Sequence, residues 1–170
     1  MTVRAQIAWL VDRFERGHSN DPTDRGGETF HGVTLTAYRD VNPRATLEDL
    51  RRAITSLPAA HSFFEVWLCG KHRLDEVADP ALRLVVLDYA INSGPRTAIK
   101  ALQRGAGVTA DGVFGPQTAA AVNHARDPRT LRDGLLAARL RLLAKTPEIR
   151  SVKRGGWFNR IADLLEATAS

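Results

Sequence analysis

Ile7, Leu10, Val11 and Phe14 fall at the i, i+3, i+4 and i+7 positions of a helical repeat. The spacing predicts an amphipathic helix over residues 3–16 that stops at Gly17. Beyond it the period vanishes. From His18 to Thr29 there is almost no apolar residue and a crowd of turn formers, which predicts a loop or a short hairpin. Helical spacing then resumes. Thr46 followed by Asp49 has the form of a capping box ahead of Leu50 and Ile54. Asp79-Pro80 and Asp127-Pro128 each place an N-cap before a proline at the first helical position, where the missing N–H removes no helical bond. They predict helices near 80–92 and 128–145. Pro95 to Arg104 and Trp157 to Ala167 repeat with the same period, and no convincing alternating strand stands outside the early loop. The expected class is mainly α, without internal repeats, low-complexity tracts or long linkers. The one candidate subdivision lies at the Gly-rich stretch 105–115.

Composition narrows the chemistry. With 170 residues, 44% hydrophobic and 25% charged, the chain can bury its own core as one domain. Its single cysteine, Cys69, excludes an internal disulfide and leaves no cysteine cluster for a metal centre. The formal net charge is +5, and because only Lys71, Lys100, Lys145 and Lys153 are lysines, the positive charge is nearly all arginine. Such a field suits an anionic partner, whether nucleic acid, a membrane surface or an acidic wall polymer. The arginines are scattered rather than gathered on a basic helix with interleaved aromatics, which speaks against nucleic acid. No run of eighteen apolar residues exists for stable membrane insertion. The stretch Met1-Thr2-Val3-Arg4-Ala5-Gln6 lacks the form of a secretory signal, so an extracytoplasmic destination would need another export route.

A core-building argument does not explain the polar segment after the first helix. Glu15 sits one position past Phe14, at the edge of the apolar stripe and in the last expected helical turn. Both placements favour a protonated carboxyl, as general acid catalysis requires, whereas Arg13 and Arg16 oppose it. A solvated glutamate paired with arginine fits the position equally well. Asp24 follows nine residues later, across a turn that would fold back towards the helix end. Two carboxylates facing one cleft are what glycoside hydrolysis needs, one to protonate the leaving oxygen and one to activate water or stabilise the oxocarbenium-like transition state. Asp21 and Glu28 compete for the second role, and the Thr29 hydroxyl could orient a water. His18 and His31 flank the loop without a clear third ligand, so no zinc site is expected. Neither a phosphate-binding glycine loop nor a Gly-x-Ser-x-Gly elbow is present.

Glu15-Arg16-Gly17-His18, followed by Asn20-Asp21-Pro22-x-Asp24-x-Gly26-Gly27-x-Thr29-x-x-Gly32-Val33-Thr34, resembles the opening motif of the family 108 glycoside hydrolases, N-acetylmuramidases often found as phage endolysins. The family usually reads Glu-Gly-Gly-Tyr there. This chain departs with Arg16 and His18, changes that bear on wall specificity more than on chemistry. The resemblance implies that Glu15 is the catalytic acid. The nine-residue step to an aspartate and the nearby threonine are also similar to the Glu/Asp/Thr set of phage-type lysozymes, which makes Asp24 and Thr29 the matching candidates.

Further motifs extend the likeness over most of the chain. Asp88-Tyr89-Ala90-Ile91-Asn92-Ser93-Gly94-Pro95 is similar to the family's second signature, which lines the cleft and suggests Tyr89, Asn92 and Ser93 as substrate contacts. Asn92 could equally serve as a helix C-cap. The segment Gly107-Val108-x-x-Asp111-Gly112-Val113-Phe114-Gly115-Pro116-x-Thr118 resembles the Asp-Gly-x-x-Gly-x-x-Thr turn of peptidoglycan-binding helical modules. There Asp111-Gly112 makes a turn, Phe114 anchors it and Pro116 opens the next helix. Gly155-Gly156-Trp157-Phe158-Asn159-Arg160 resembles the family's C-terminal segment, with Trp157 either stacking on a sugar or packed in a core.

The resemblance implies a single lysozyme-like α domain, 1–170, in which a catalytic part (1–94) and a peptidoglycan-binding-like helical part (95–170) pack together. It would cleave the β-1,4 bond between N-acetylmuramic acid and N-acetylglucosamine without metal or cofactor, as a monomer acting on bacterial peptidoglycan. A phage or prophage endolysin would be held in the host cytoplasm until a holin releases it to the wall. A lytic transglycosylase and a non-catalytic wall-binding module are the alternatives.

Overall fold

The computed structural model describes residues 1–15, 17–19, 27–145 and 154–169, and these form two compact units, Met1–Arg73 and Leu74–Ser170. Among the described residues the architecture is mainly α, lysozyme-like, with one small sheet.

In the first unit, helix α1 spans Val3–Phe14, capped by the Thr2 side chain, which accepts from the Ala5 N–H. It ends earlier than the spacing predicts, so that Glu15 is its C-cap, and Arg16 lies outside the described residues. Strands β1 (His18–Ser19), β2 (Thr29–Phe30) and β3 (Val33–Thr34) form an antiparallel sheet in that order, with Thr29 opposite Thr34 and Phe30 opposite Val33. Two-residue strands are too short for period-two alternation to register, which is why the sequence allows only a loop or hairpin there. Helices α2 (Leu35–Val41), α3 (Leu47–Ala53) and α4 (Leu57–Phe64) follow, and α4 continues as a π-helical stretch, Glu65–Lys71. The capping box of α3 forms as its sequence indicates: Thr46 accepts from the Asp49 N–H while Asp49 accepts from the Thr46 N–H. Ile7, Leu10 and Val11 of α1 are buried, and α1 packs against α4.

The second unit is built on α5 (Pro80–Ser93), around which α6 (Pro95–Gly105), α8 (Pro128–Ala144) and α9 (Arg154–Ala167) pack, with α7 (Pro116–Asn123) against α6 and α8. Each of α5 to α8 opens on a proline near its first position. Asp79 caps α5 by accepting from the Leu82 N–H at 2.7 Å. Seven consecutive residues of α5, from Leu84 to Ala90, are buried, so this helix has no solvated face over most of its length. In α6 the buried positions are Pro95, Ala98, Ile99, Leu102 and Gln103, the stripe of a helix with one face inward. Gln103 is the polar member of that stripe. Its Nε2 donates to Asp111 Oδ1 (2.7 Å), the Val113 carbonyl and Thr118 Oγ1 (both 3.0 Å), and its Oε1 accepts from the Gly112 N–H (2.9 Å). Asp111 also accepts from the Val113 N–H, and that bond, then Gln103, hold its carboxyl below the usual range. Phe114 is buried as expected. The Asp-Gly-x-x-Gly-x-x-Thr turn is thus wrapped around a single buried amide.

Candidate active site

The end of α1 and the β2–β3 hairpin meet at Glu15. The Glu15 N–H closes the helix by donating to the Val11 carbonyl at 2.9 Å, and Gly17, at φ +84°, turns the chain towards β1. The His31 N–H donates to the Gly17 carbonyl (2.7 Å), while the Gly17 N–H donates to His31 Nδ1 (3.3 Å). This reciprocal pair fastens the hairpin turn to the helix end. The next residue, Gly32, has φ +79°, and a Cβ there would lie 2.6 Å from Glu15 Cβ and 2.7 Å from its Oε2. Only glycine lets the hairpin backbone lie this close to the half-buried Glu15 side chain. Thr29, on β2, is half-buried one hairpin rung from this turn.

Of the residues that compete for the second carboxylate, Glu28 is committed to another task. Its Oε2 accepts from Arg51 Nη2 and its Oε1 pairs with His18 Nε2, both at 2.8 Å. The Arg51 bond, followed by that of His18, holds the Glu28 carboxyl below its ordinary range, a fixed anion tying α3 to the sheet. The His18 ring also lies on Phe30, centroids 4.7 Å apart. Asp24 and Asp21 lie outside the described residues.

The remaining candidates belong to the second unit. Asn92 is exposed in the last turn of α5, and its Nδ2 donates to the Asp88 carbonyl at 3.1 Å. A carbonyl can only accept, so this bond sets the amide nitrogen towards the helix and the carboxamide oxygen on the other branch. Ser93 is partly exposed beside it. Tyr89 is only 3% exposed, and burial pushes its hydroxyl up, opposed by Arg104. The structure therefore places Tyr89 among the core residues of α5. Trp157 is half-buried near the start of α9. Among the described residues, no group of three or more His, Cys, Asp or Glu side chains is placed to hold a metal ion, and no helix is long and apolar enough to cross a membrane.

Sequence reasoning weighs His31 only as a metal ligand and misses Arg51. Each acts across a turn or between elements, His31 through a left-handed backbone at φ +47° and Arg51 from 23 residues away. Gly32 stands in the motif frame, but its close approach to Glu15 exists only in three dimensions.

In this mainly α, lysozyme-like fold Glu15 stands at the junction of the first helix and a short hairpin. Residues 8–94 match the family described as Glycosyl hydrolase 108, and the chain belongs to that family. Residues 97–162 match the family described as Predicted Peptidoglycan domain, and the two together make the chain a peptidoglycan hydrolase. Among solved structures it is similar to SagA of Brucella abortus, with 26% identity and a TM-score of 0.81, covering 97% of this chain and 92% of that one. No curated protein matches it.

Proposed function

We propose that the chain is an N-acetylmuramidase, cleaving the β-1,4 bond between N-acetylmuramic acid and N-acetylglucosamine. The observation that supports this most is Glu15, held against Gly32 at the helix–hairpin junction inside the segment matched as a glycosyl hydrolase. In this reading Glu15 donates its proton to the glycosidic oxygen as the bond to the anomeric carbon breaks. Asp24 either takes the proton of the attacking water, which Thr29 orients, or stabilises the oxocarbenium-like centre while Glu15, now deprotonated, takes that proton. The water oxygen becomes the new anomeric hydroxyl. Asn92 and Ser93, with Trp157, contact the sugars, and residues 95–170 contribute to wall recognition. Tyr89, buried, supports that surface from within. The net charge of +5 draws the enzyme to anionic envelope polymers, consistent with a monomeric phage or prophage endolysin that waits in the host cytoplasm.

Mass spectrometry of purified peptidoglycan after digestion tests the reaction. Reducing muramic acid ends are expected; 1,6-anhydro ends would show a lytic transglycosylase, and an undigested wall a binding module. Asp24→Asn should cost far more activity than Asp21→Asn, and the reverse ranking would move the second carboxylate to Asp21.

A further inference from the structure

At the end of α2 the chain turns beside a concavity of about 570 Å³, lined by Tyr38 and Val41 of α2, by Asn42, Pro43 and Arg44 of the turn, and by Asp49 of α3. Three hydrogen bonds fix the turn. The Asn42 N–H donates to the Tyr38 carbonyl and the Ala45 N–H to the Asn42 carbonyl, both at 2.9 Å, and Arg39 Nε donates to the Ala45 carbonyl at 2.8 Å. Arg44 is thus displayed from a preorganised backbone, exposed, and it has no hydrogen bond or ion pair among the described residues. The Asn42 carboxamide and the Tyr38 hydroxyl are also without a partner among the described residues. The Tyr38 ring leans on Phe63, with centroids 5.6 Å apart, and so keeps its place in the wall. Asp49, the acidic member of the lining, is committed to the cap of α3, where it accepts from the Thr46 N–H (2.8 Å) and Oγ1 (2.7 Å), and Arg52 opposes its charge.

What stands open is a guanidinium, an amide and a phenol beside an apolar wall of Tyr38, Val41 and Pro43. A guanidinium with no anion of its own selects a planar anion, a carboxylate above all, and the apolar wall suits short alkyl groups next to it. Peptidoglycan carries that combination in its stem peptides, whose alanine methyls and free carboxylates hang from the muramic acids; the lactyl carboxyl of each muramic acid is consumed in the amide bond to its peptide. The concavity lies in the segment matched as Glycosyl hydrolase 108 and in the same compact unit as Glu15. Because α2 follows β3 directly, one helix about 10 Å long separates it from the hairpin that carries Gly32.

We infer that this concavity binds a free carboxylate of the stem peptide, with Arg44 as its counter-ion and Asn42 and Tyr38 bonding the peptide beside it. The hydrolase segment thereby reads peptide as well as sugar. The inference rests on the proposed cleavage of peptidoglycan strands.

The test uses the full chain and purified, uncrosslinked peptidoglycan strands free of phosphate-bearing polymers, in two forms: native, and with the stem-peptide carboxyls converted to neutral N-methylamides. Wild type should show a KM about three- to tenfold lower on the native form, the scale of one hydrogen bond to a charged group at an exposed site, with kcat within about twofold. Arg44→Gln should melt as wild type does and show one KM on both forms, close to that of wild type on the amidated strands. Arg4→Gln removes the same charge from α1, outside the concavity, and should keep the preference. A wild type that cleaves both forms with one KM would overturn the inference alone, as would a preference that survives in Arg44→Gln. Equal loss of preference in Arg4→Gln and Arg44→Gln would overturn it too, by showing long-range attraction in place of a site. A wild type that cleaves neither form would remove the proposed reaction and the inference with it.

Discussion

A methyl group on Gly32 would collide with Glu15 Cβ at 2.6 Å and would also force a side chain onto a backbone at φ +79°. Gly32→Ala is therefore expected to destabilise the protein by about 1 kcal/mol or more. It should also lower peptidoglycan cleavage more than that loss of stability explains, because the candidate acid must move. Thermal melts and cleavage rates well below the melting temperature check both, and a stable variant with wild-type turnover would contradict the close packing of Gly32 on Glu15. Glu15 itself is legible in the sequence, since its position at the end of an amphipathic stripe is a one-dimensional property. The commitment of Glu28 to Arg51 and His18 is not, because those partners come from elements whose pairing the sequence leaves open.

At the scale of elements, local chemistry predicts well where the cap and the first turn write themselves into neighbouring residues. Asp79-Pro80 and Asp127-Pro128 mark the starts of α5 and α8, and Thr46 with Asp49 the start of α3. The short α2 carries no such mark beyond Thr34 and buries only Ala37, so its period is too brief to read. The π-helical stretch after α4 is likewise invisible to a 3.6-residue template, although it brings Trp67, Lys71 and His72 together on Asp40 of α2. The motif at 111–118 shows the reverse case, a turn that is readable while its organiser is not. Gln103 lies in α6, ahead of the motif, and satisfies four of its groups. Gln103→Ala should therefore destabilise by about 2 kcal/mol or more, since it strands buried donors and acceptors around a cavity. Denaturant unfolding measures this, and a change under about 0.5 kcal/mol, the range of an ordinary surface substitution, would show that the amide does not organise the turn.

For the molecule as a whole, paired charges set how stability responds to acid. Burial raises the Asp40 carboxyl, but hydrogen bonds from Lys71, His72 and Trp67 outweigh it and hold the group far below the ordinary carboxylate range. Because the folded-state value lies below the unfolded one, the stability this cluster adds is present above about pH 3.9 and is lost as pH falls further. Asp40→Asn should lower the melting temperature at pH 7 and flatten its decline between pH 5 and pH 2, as followed by circular dichroism. A decline as steep as wild type would place the acid sensitivity elsewhere.

In the proposed reaction Glu15 supplies the proton that breaks the glycosidic bond. Turnover of purified peptidoglycan by Glu15→Gln, beside Glu28→Gln as a second carboxylate from the same region, tests it most directly. Glu15→Gln should fold cooperatively while its turnover falls by about 10²-fold or more, the scale of general acid catalysis, with Glu28→Gln losing stability before it loses turnover. A folded Glu15→Gln that releases reducing ends at close to the wild-type rate would contradict it.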